Sequence, residues 1–162
     1  MEWCKQQQES GDLDFDNVVW TDECTVQLES HCWITFRKKE QPVRYSMKPK
    51  HPPKINVWAG ISCHGATKVV IFSGTLTATH YVDILEVGLL PFLETYYPCG
   101  HRFQQDNDPK HTSLYAKWWY KEKGINWFHT PAASPDLNPI ELIWHSLKDY
   151  LRKEYKPKNL HN

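Results

Sequence analysis

The sequence predicts an α/β chain, a mixed β-sheet with helices on its faces. Two observations carry this. Apolar runs of strand length crowd the first half, and a helical apolar spacing first sets in at Thr79. From there helical and strand patterns alternate, and an antiparallel group followed by alternating units makes a mixed sheet. With 162 residues, 40% hydrophobic and eight of them Trp, the chain fits one globular domain with a sizeable core.

Residues 1–16 are polar and acidic and read as a linker or a frayed helix end; 17–162 read as the folded domain. "NVVWTDE" opens the domain with the apolar run Val18 to Trp20, a strand buried on both faces and ending at Asp22. "CWITFR" (32–37) alternates as a second strand. "KINVWAGIS" (54–62) and "KVVIF" (68–72) flank "CHGAT", a hairpin with Gly65 in its turn. Between Thr79 and Tyr97 the apolar positions fall at helical spacing, with a kink expected at Gly88 and Pro91. "HRFQQ" is a short strand, Lys110 to Lys123 a helix closed by Gly124, and "INWFH" (125–129) a strand. The Pro-rich "TPAASPDLNP" leads into a helix from Pro139 to about Tyr155. Six tryptophans, Trp20, Trp58, Trp118, Trp119, Trp127 and Trp144, lie in strand or helix patterns, where core packing is the simpler role for most.

Lys+Arg and Asp+Glu balance at 19 each, so only local clustering can argue for a polyanion partner. One cluster stands out: residues 37–54 hold seven Lys/Arg against one Glu. Five scattered cysteines form no CxxC pair, which speaks against a structural zinc site and for reduced thiols. The opening "MEWCKQQQES" has no apolar core of a secretory signal, and no apolar run approaches membrane-spanning length, so no membrane partner is expected.

Three carboxylates stand at element boundaries. Asp22 and Asp106 follow apolar strands, where α/β folds tend to place chemistry, though a plain turn would also use them. Glu141 opens a helix three residues after Asn138, where a capping box is the plain alternative. Between Asp106 and Glu141 lie 34 residues.

"TDE" after an apolar strand, "QQDNDPKHTS", and "SPDLNPIE" opening a helix resemble, in order and spacing, the catalytic signatures of the Tc1/mariner transposases. The likeness is nearest to the Tc1-like branch, whose acids follow a D, D, 34 residues, E pattern, and it covers about residues 17 to 155. "VWAGIS" and "LLPFLE" also resemble the family, while Cys24 departs from a common Ser. The resemblance implies an RNase H-like fold, DNA cutting and joining at transposon ends, and Asp22, Asp106 and Glu141 as catalytic metal ligands. It implies two Mg²⁺ (or Mn²⁺) ions, inverted-repeat and target DNA as partners, a homodimer on DNA, and work in the nucleus. No counterpart of the helix-turn-helix units that precede the family's catalytic domain is expected within residues 1–16. The chemistry agrees: a phosphodiester anion is attacked most readily with hard cations on both the entering and the leaving oxygen, and such cations want carboxylate oxygens. A domesticated binding remnant, or an RNase H-like nuclease, would fit the same fold.

Further residues carry secondary expectations. Asp108 can support the ligand Asp106 or merely build the turn before the next helix with Asn107 and Pro109, and His111 can orient a ligand, touch a phosphate, or be a structural residue of the first helical turn. Arg37, Lys38, Lys39, Arg44, Lys48, Lys50 and Lys54 can grip phosphates, like the clamp loop of mariner-type transposases, or be a solvated loop. On the last helix His145, Lys148 and Arg152 share the side of Glu141, and Lys148 and Arg152 are expected on DNA. Ile140, Ile143, Trp144, Leu147 and Leu151 are expected to face the core.

Overall fold

The computed structural model describes residues 15–27, 54–131 and 134–154, together with Lys5 and Glu9. Six described strands form one mixed sheet: β1 (Val18–Gln27), β2 (Lys54–Ser62), β3 (Gly65–Ala66), β4 (Val70–Phe72), β5 (Arg102–Gln105) and β6 (Trp127–His129). The order is β3-β2-β1-β5-β6, with β4 also on β2. β1 and β2 pair antiparallel, whereas β5 joins β1, and β6 joins β5, in parallel. The helices are α1 (Ala78–Gly88), α2 (Leu90–Tyr96), α3 (Leu114–Lys123) and α4 (Ile140–Glu154), and a 3₁₀ turn spans Pro135–Leu137.

Strand alternation divides the side chains between two faces. Val19, Trp58 and Phe103 pack on one face with Tyr81 and Leu85 of α1 and Trp119 and Tyr120 of α3. Cys24, Val26, Val57 and Ala59 lie on the other, under Ile140 and Trp144 of α4. Both α4 residues are buried, which stabilises the docking of this helix by about 1.5–3 kcal/mol each.

The expected kink becomes a break. Leu89 separates α1 from α2, donating its N–H to Leu85 O and accepting from Leu93 N–H. Gly88 sits so close to the sheet that a Cβ there would lie 2.4 Å from the Trp58 ring. The helix expected from Lys110 begins at Leu114, because the Asp108 carbonyl takes the N–H groups of His111 and Thr112 into turns first. Ser113 then caps it by accepting from Ala116 N–H, and Gly124, at φ +66°, closes it as expected.

Other expectations need correction. Asp22 does not end its strand: β1 runs on to Gln27, held by pairing with β2 out to Lys54. The alternation Asp22, Cys24, Val26 continues one face through a stretch whose composition reads as polar. Ile143 is 49% exposed, since the buried seam of α4 runs through Ile140 and Trp144, with Leu147 and Leu151 partly buried. Core packing does hold for most of the six tryptophans, since Trp20, Trp58, Trp119 and Trp144 are buried, while Trp118 is exposed. The expected strand 32–37 lies outside the described residues, as do Arg37, Lys38, Lys39, Arg44, Lys48 and Lys50.

Candidate active site

The site begins with the register of β1 and β5. Parallel pairing sets Trp20 beside Gln104, so the strand continuing past Gln105 brings Asp106 to the level of Asp22. Asn138 fixes the third element. Its amide N–H donates to Thr21 O at 3.2 Å, while its Oδ1 accepts from Ile140 N–H at the start of α4. One residue thus caps the helix and ties it to β1, which sets Glu141 over the strand ends. Asp22, Asp106 and Glu141, with Gln104, Asp108 and Asn138 among their neighbours, line one cleft of about 400 Å³. Among the described residues, no three His, Cys, Asp or Glu side chains are gathered tightly enough to share one ion. Like charge opposes closer approach.

Each acid has a different environment. Asp22 is roofed by α4, and Trp144 Nε1–H donates to its Oδ2 at 3.1 Å. Burial pushes its carboxyl up to about 7, and the charges of Glu23, Glu141 and Asp106 add to the shift. Asp106 behaves oppositely. Its Oδ1 accepts from His111 Nδ1 at 2.6 Å and from Asp108 N–H at 3.0 Å, and the His111 hydrogen bond holds its carboxyl below the usual range. Glu141 is exposed on the first turn of α4, facing the cleft.

His111 is buried on the opposite side of Asp106. Its Nε2 meets Glu23 Oε1 at 3.0 Å, and its ring lies on Tyr81 with centroids 4.0 Å apart. Burial alone would lower its pKa, but the hydrogen bonds to Asp106 and Glu23 raise it to about 9. At neutral pH His111 is a cation shared by two carboxylates, and it fixes one oxygen of Asp106 from behind. Around it, Tyr81 and Tyr120 hydroxyls both donate to Gln105 Oε1, and Tyr120 OH also reaches the His111 carbonyl. Asp108 lines the cleft while pairing with Lys110. Burial would raise its pKa, but Lys110 brings it below the usual value.

Of the remaining expected contacts, Lys54 is exposed at the start of β2 and Lys148 is partly buried on α4. Arg152 lies on α4, and His145 is exposed with Asp149 at 3.7 Å. Sequence reasoning did not single out Glu23, Gln104 or the Trp144 hydrogen bond. Glu23 had a signal: adjacent acids on one strand point to opposite faces, so "TDE" sends one to each side of the sheet, and a half-buried acid on the helix-covered α1–α3 side calls for a cation.

Architecture and site together define an RNase H-like α/β domain with an acidic cleft at the strand ends. The fold matches the Mos1 transposase paired-end complex with left transposon end, at TM-score 0.73 and 17% identity, over 92% of this chain and 46% of that one. It also matches the Mos1 transposase catalytic domain with Raltegravir and Mg, at TM-score 0.67 and 17% identity, over 94% of this chain and 71% of that one.

The chain belongs to the DDE superfamily endonuclease family, whose model matches residues 17–162. It is 31% identical over 158 residues to the transposable element Tcb1 transposase of Caenorhabditis briggsae, covering 94% of this chain and 58% of the relative. To the Tc1 transposase of Caenorhabditis elegans it is 29% identical, covering 90% and 56%. It therefore groups with Tc1/mariner catalytic domains, and spans little more than half the length of these relatives.

Proposed function

We propose that this chain is the DNA-cutting and DNA-joining domain of a Tc1-like transposase, a divalent-metal-dependent phosphodiesterase acting at transposon ends. One observation carries the reading: three acids from β1, the end of β5 and the start of α4 line a single cleft. The sequence similarity to transposable-element transposases favours DNA as the partner; inverted-repeat and target DNA, a homodimer on that DNA and action in the nucleus are part of the same proposal.

The donor set fits a hard cation such as Mg²⁺ or Mn²⁺. Asp22, Asp106 and Glu141 offer carboxylate oxygens, and the Gln104 amide oxygen beneath the cleft finds no donor among the described residues. A pair of such ions would activate the attacking hydroxyl and stabilise the leaving oxygen. The chain's own residues do the rest. His111 and the Asp108 N–H hold Asp106 in one orientation, and Trp144 holds Asp22. Asn138 keeps Glu141 at the mouth of the same cleft. Lys148 and Arg152, at i+7 and i+11 from Glu141 on α4, would position flanking phosphates. The basic segment 37–54 would grip DNA or a partner subunit.

The test is cleavage of a duplex bearing terminal inverted repeats in Mg²⁺ or Mn²⁺. D22N, D106N and E141Q should each abolish cutting while far-UV circular dichroism stays unchanged. Full cutting by any of the three variants would overturn the assignment. Cleavage of RNA–DNA hybrid in preference to the repeats would make the chain a nuclease of another kind. A wild-type chain that binds DNA and never cuts would make it a non-catalytic remnant.

A further inference from the structure

Gln104 is a polar side chain placed where core packing would favour an apolar one. It is 1% exposed, yet it lines the acidic cleft. Its backbone position is anchored, since its carbonyl accepts from the Thr21 hydroxyl at 2.8 Å. Its side-chain oxygen is buried and meets no hydrogen-bond donor among the described residues. A buried acceptor left unpaired is costly, and native cores avoid it unless another requirement is met.

The register says what that requirement is. Phe103 and Gln105 face the α1–α3 side, where Gln105 accepts from Tyr81 and Tyr120. Gln104 therefore points to the other face, paired beside Trp20 and one alternation before Asp106. Gln104 is among the residues that line the cleft, with Asp22 on the neighbouring strand β1 and Asp106 just past the end of its own strand β5. A hard divalent cation keeps several waters, and those waters are donors seeking acceptors. The acids can take some of these hydrogens, and a neutral amide oxygen can take another without adding to the charge repulsion among them.

From this we infer that the Gln104 side-chain oxygen belongs to the divalent-cation site, where it accepts from the ion's hydration shell beside Asp22 and Asp106. The inference rests on the cation-dependent reading above and assigns a partner to the amide oxygen that reading notes as unpaired. It also predicts an unusual sign. Removing the amide should relieve the metal-free fold and harm cation binding, whereas a purely structural amide would behave in the opposite way.

The experiment titrates Mn²⁺ by calorimetry into the 162-residue chain at fixed pH, as wild type, Q104M, Q104N, Q104E and D106N. Thermal melts in EDTA and in Mn²⁺ accompany each titration. Q104M keeps the length and removes the acceptor, so Mn²⁺ affinity should fall about tenfold, the scale found for groups supporting a metal's ligands. Its melting point in EDTA should equal or exceed that of wild type. Q104N withdraws the oxygen by one methylene and should also weaken binding, which preserves the test if Q104M does not fold. Q104E restores an oxygen and should bind Mn²⁺ at least as tightly as wild type. Mn²⁺ affinity of Q104M or Q104N within twofold of wild type overturns the inference, as does Q104E binding no better than Q104M. If wild type binds Mn²⁺ and D106N does not, such a result removes Gln104 alone. If wild type itself binds no Mn²⁺, the cation reading fails and this inference fails with it.

Discussion

Asp22 should make the metal-free protein less stable, and Asp22→Asn should reveal by how much. Burial, with the charges of Glu23, Glu141 and Asp106, raises its carboxyl from 3.8 to about 7. Below about pH 4 the group is neutral in both folded and unfolded chains and costs nothing. As the pH rises toward 7 the unfolded chain releases the proton while the folded chain keeps it, so stability falls across that window. Above about 7 both are ionised and the loss is complete. A shift from 3.8 to about 7 corresponds to roughly 4 kcal/mol. Asn retains an acceptor for Trp144 Nε1, so the substitution removes the charge and spares the contact. Urea unfolding in EDTA at pH 4 and pH 8 reads the effect. At pH 4 the two proteins should be nearly equal, and at pH 8 D22N should be more stable by up to about 4 kcal/mol. Added Mn²⁺ should stabilise wild type and leave D22N little changed. A gap that does not widen between pH 4 and pH 8 would refute the reasoning.

His111 should show the complementary pH dependence. Its pKa is raised to about 9, so its stabilisation is full below 6.5 and lost as pH rises through 9. H111A should therefore lose several kcal/mol at pH 6, on the order of the 3–5 expected for breaking a buried ion pair, and the deficit should shrink by about 3 kcal/mol by pH 10, read by urea unfolding at both values. Gly88→Ala places a methyl within 2.4 Å of Trp58 and should destabilise by about 1–3 kcal/mol, measured as a lower melting point. Neutralising the seven Lys/Arg of 37–54 should flatten the salt dependence of DNA affinity, and an unchanged slope in filter-binding titrations would remove that segment from the interface.

Much of the fold can be read from the sequence because hydrophobic periodicity and punctuation agree over β1, β2, β5 and the helices. Gly124 at its left-handed C-cap and Asn138 before α4 are where local chemistry predicts them. The failures occur where tertiary pairing overrides composition. The second half of β1, "ECTVQ", reads as polar, yet β2 pairs with it throughout and α4 covers its Cys24 and Val26. α3 starts at Leu114 and not at the expected Lys110 because Asp108 diverts two backbone N–H groups into turns that a helical pattern cannot reveal. Within the site, residue type and position leave turns and a helix cap open, and it is the resemblance of "TDE", "QQDNDPKHTS" and "SPDLNPIE" to the Tc1/mariner signatures that points to the three acids. What supports them is less legible: Glu23 reaches His111 over 88 positions and Trp144 reaches Asp22 over 122, and only the folded sheet brings these pairs together.

Those long-range contacts also explain why the two aspartates differ so much in charge preference although the register sets them side by side. Asp106 stands at the end of β5, where the two faces of the sheet meet, and can be held from the α1–α3 side by His111 while lining the cleft on the α4 side. Asp22 stands mid-strand beneath Trp144, with like-charged neighbours and, among the described residues, one neutral side-chain donor. One carboxylate is thus kept ionised by its surroundings, and the other has like charges beside it and no countercharge among the described residues. A cation entering the cleft would gain most from Asp22, whose proton it would displace at neutral pH, and would find Asp106 already charged and oriented. Binding should therefore release close to one proton near pH 6 and almost none at pH 9, where Asp22 has already ionised. Calorimetry of Mn²⁺ binding in buffers of different ionisation enthalpy measures that number. Equal proton release at pH 6 and pH 9 would show that Asp22 does not give up its proton to the ion.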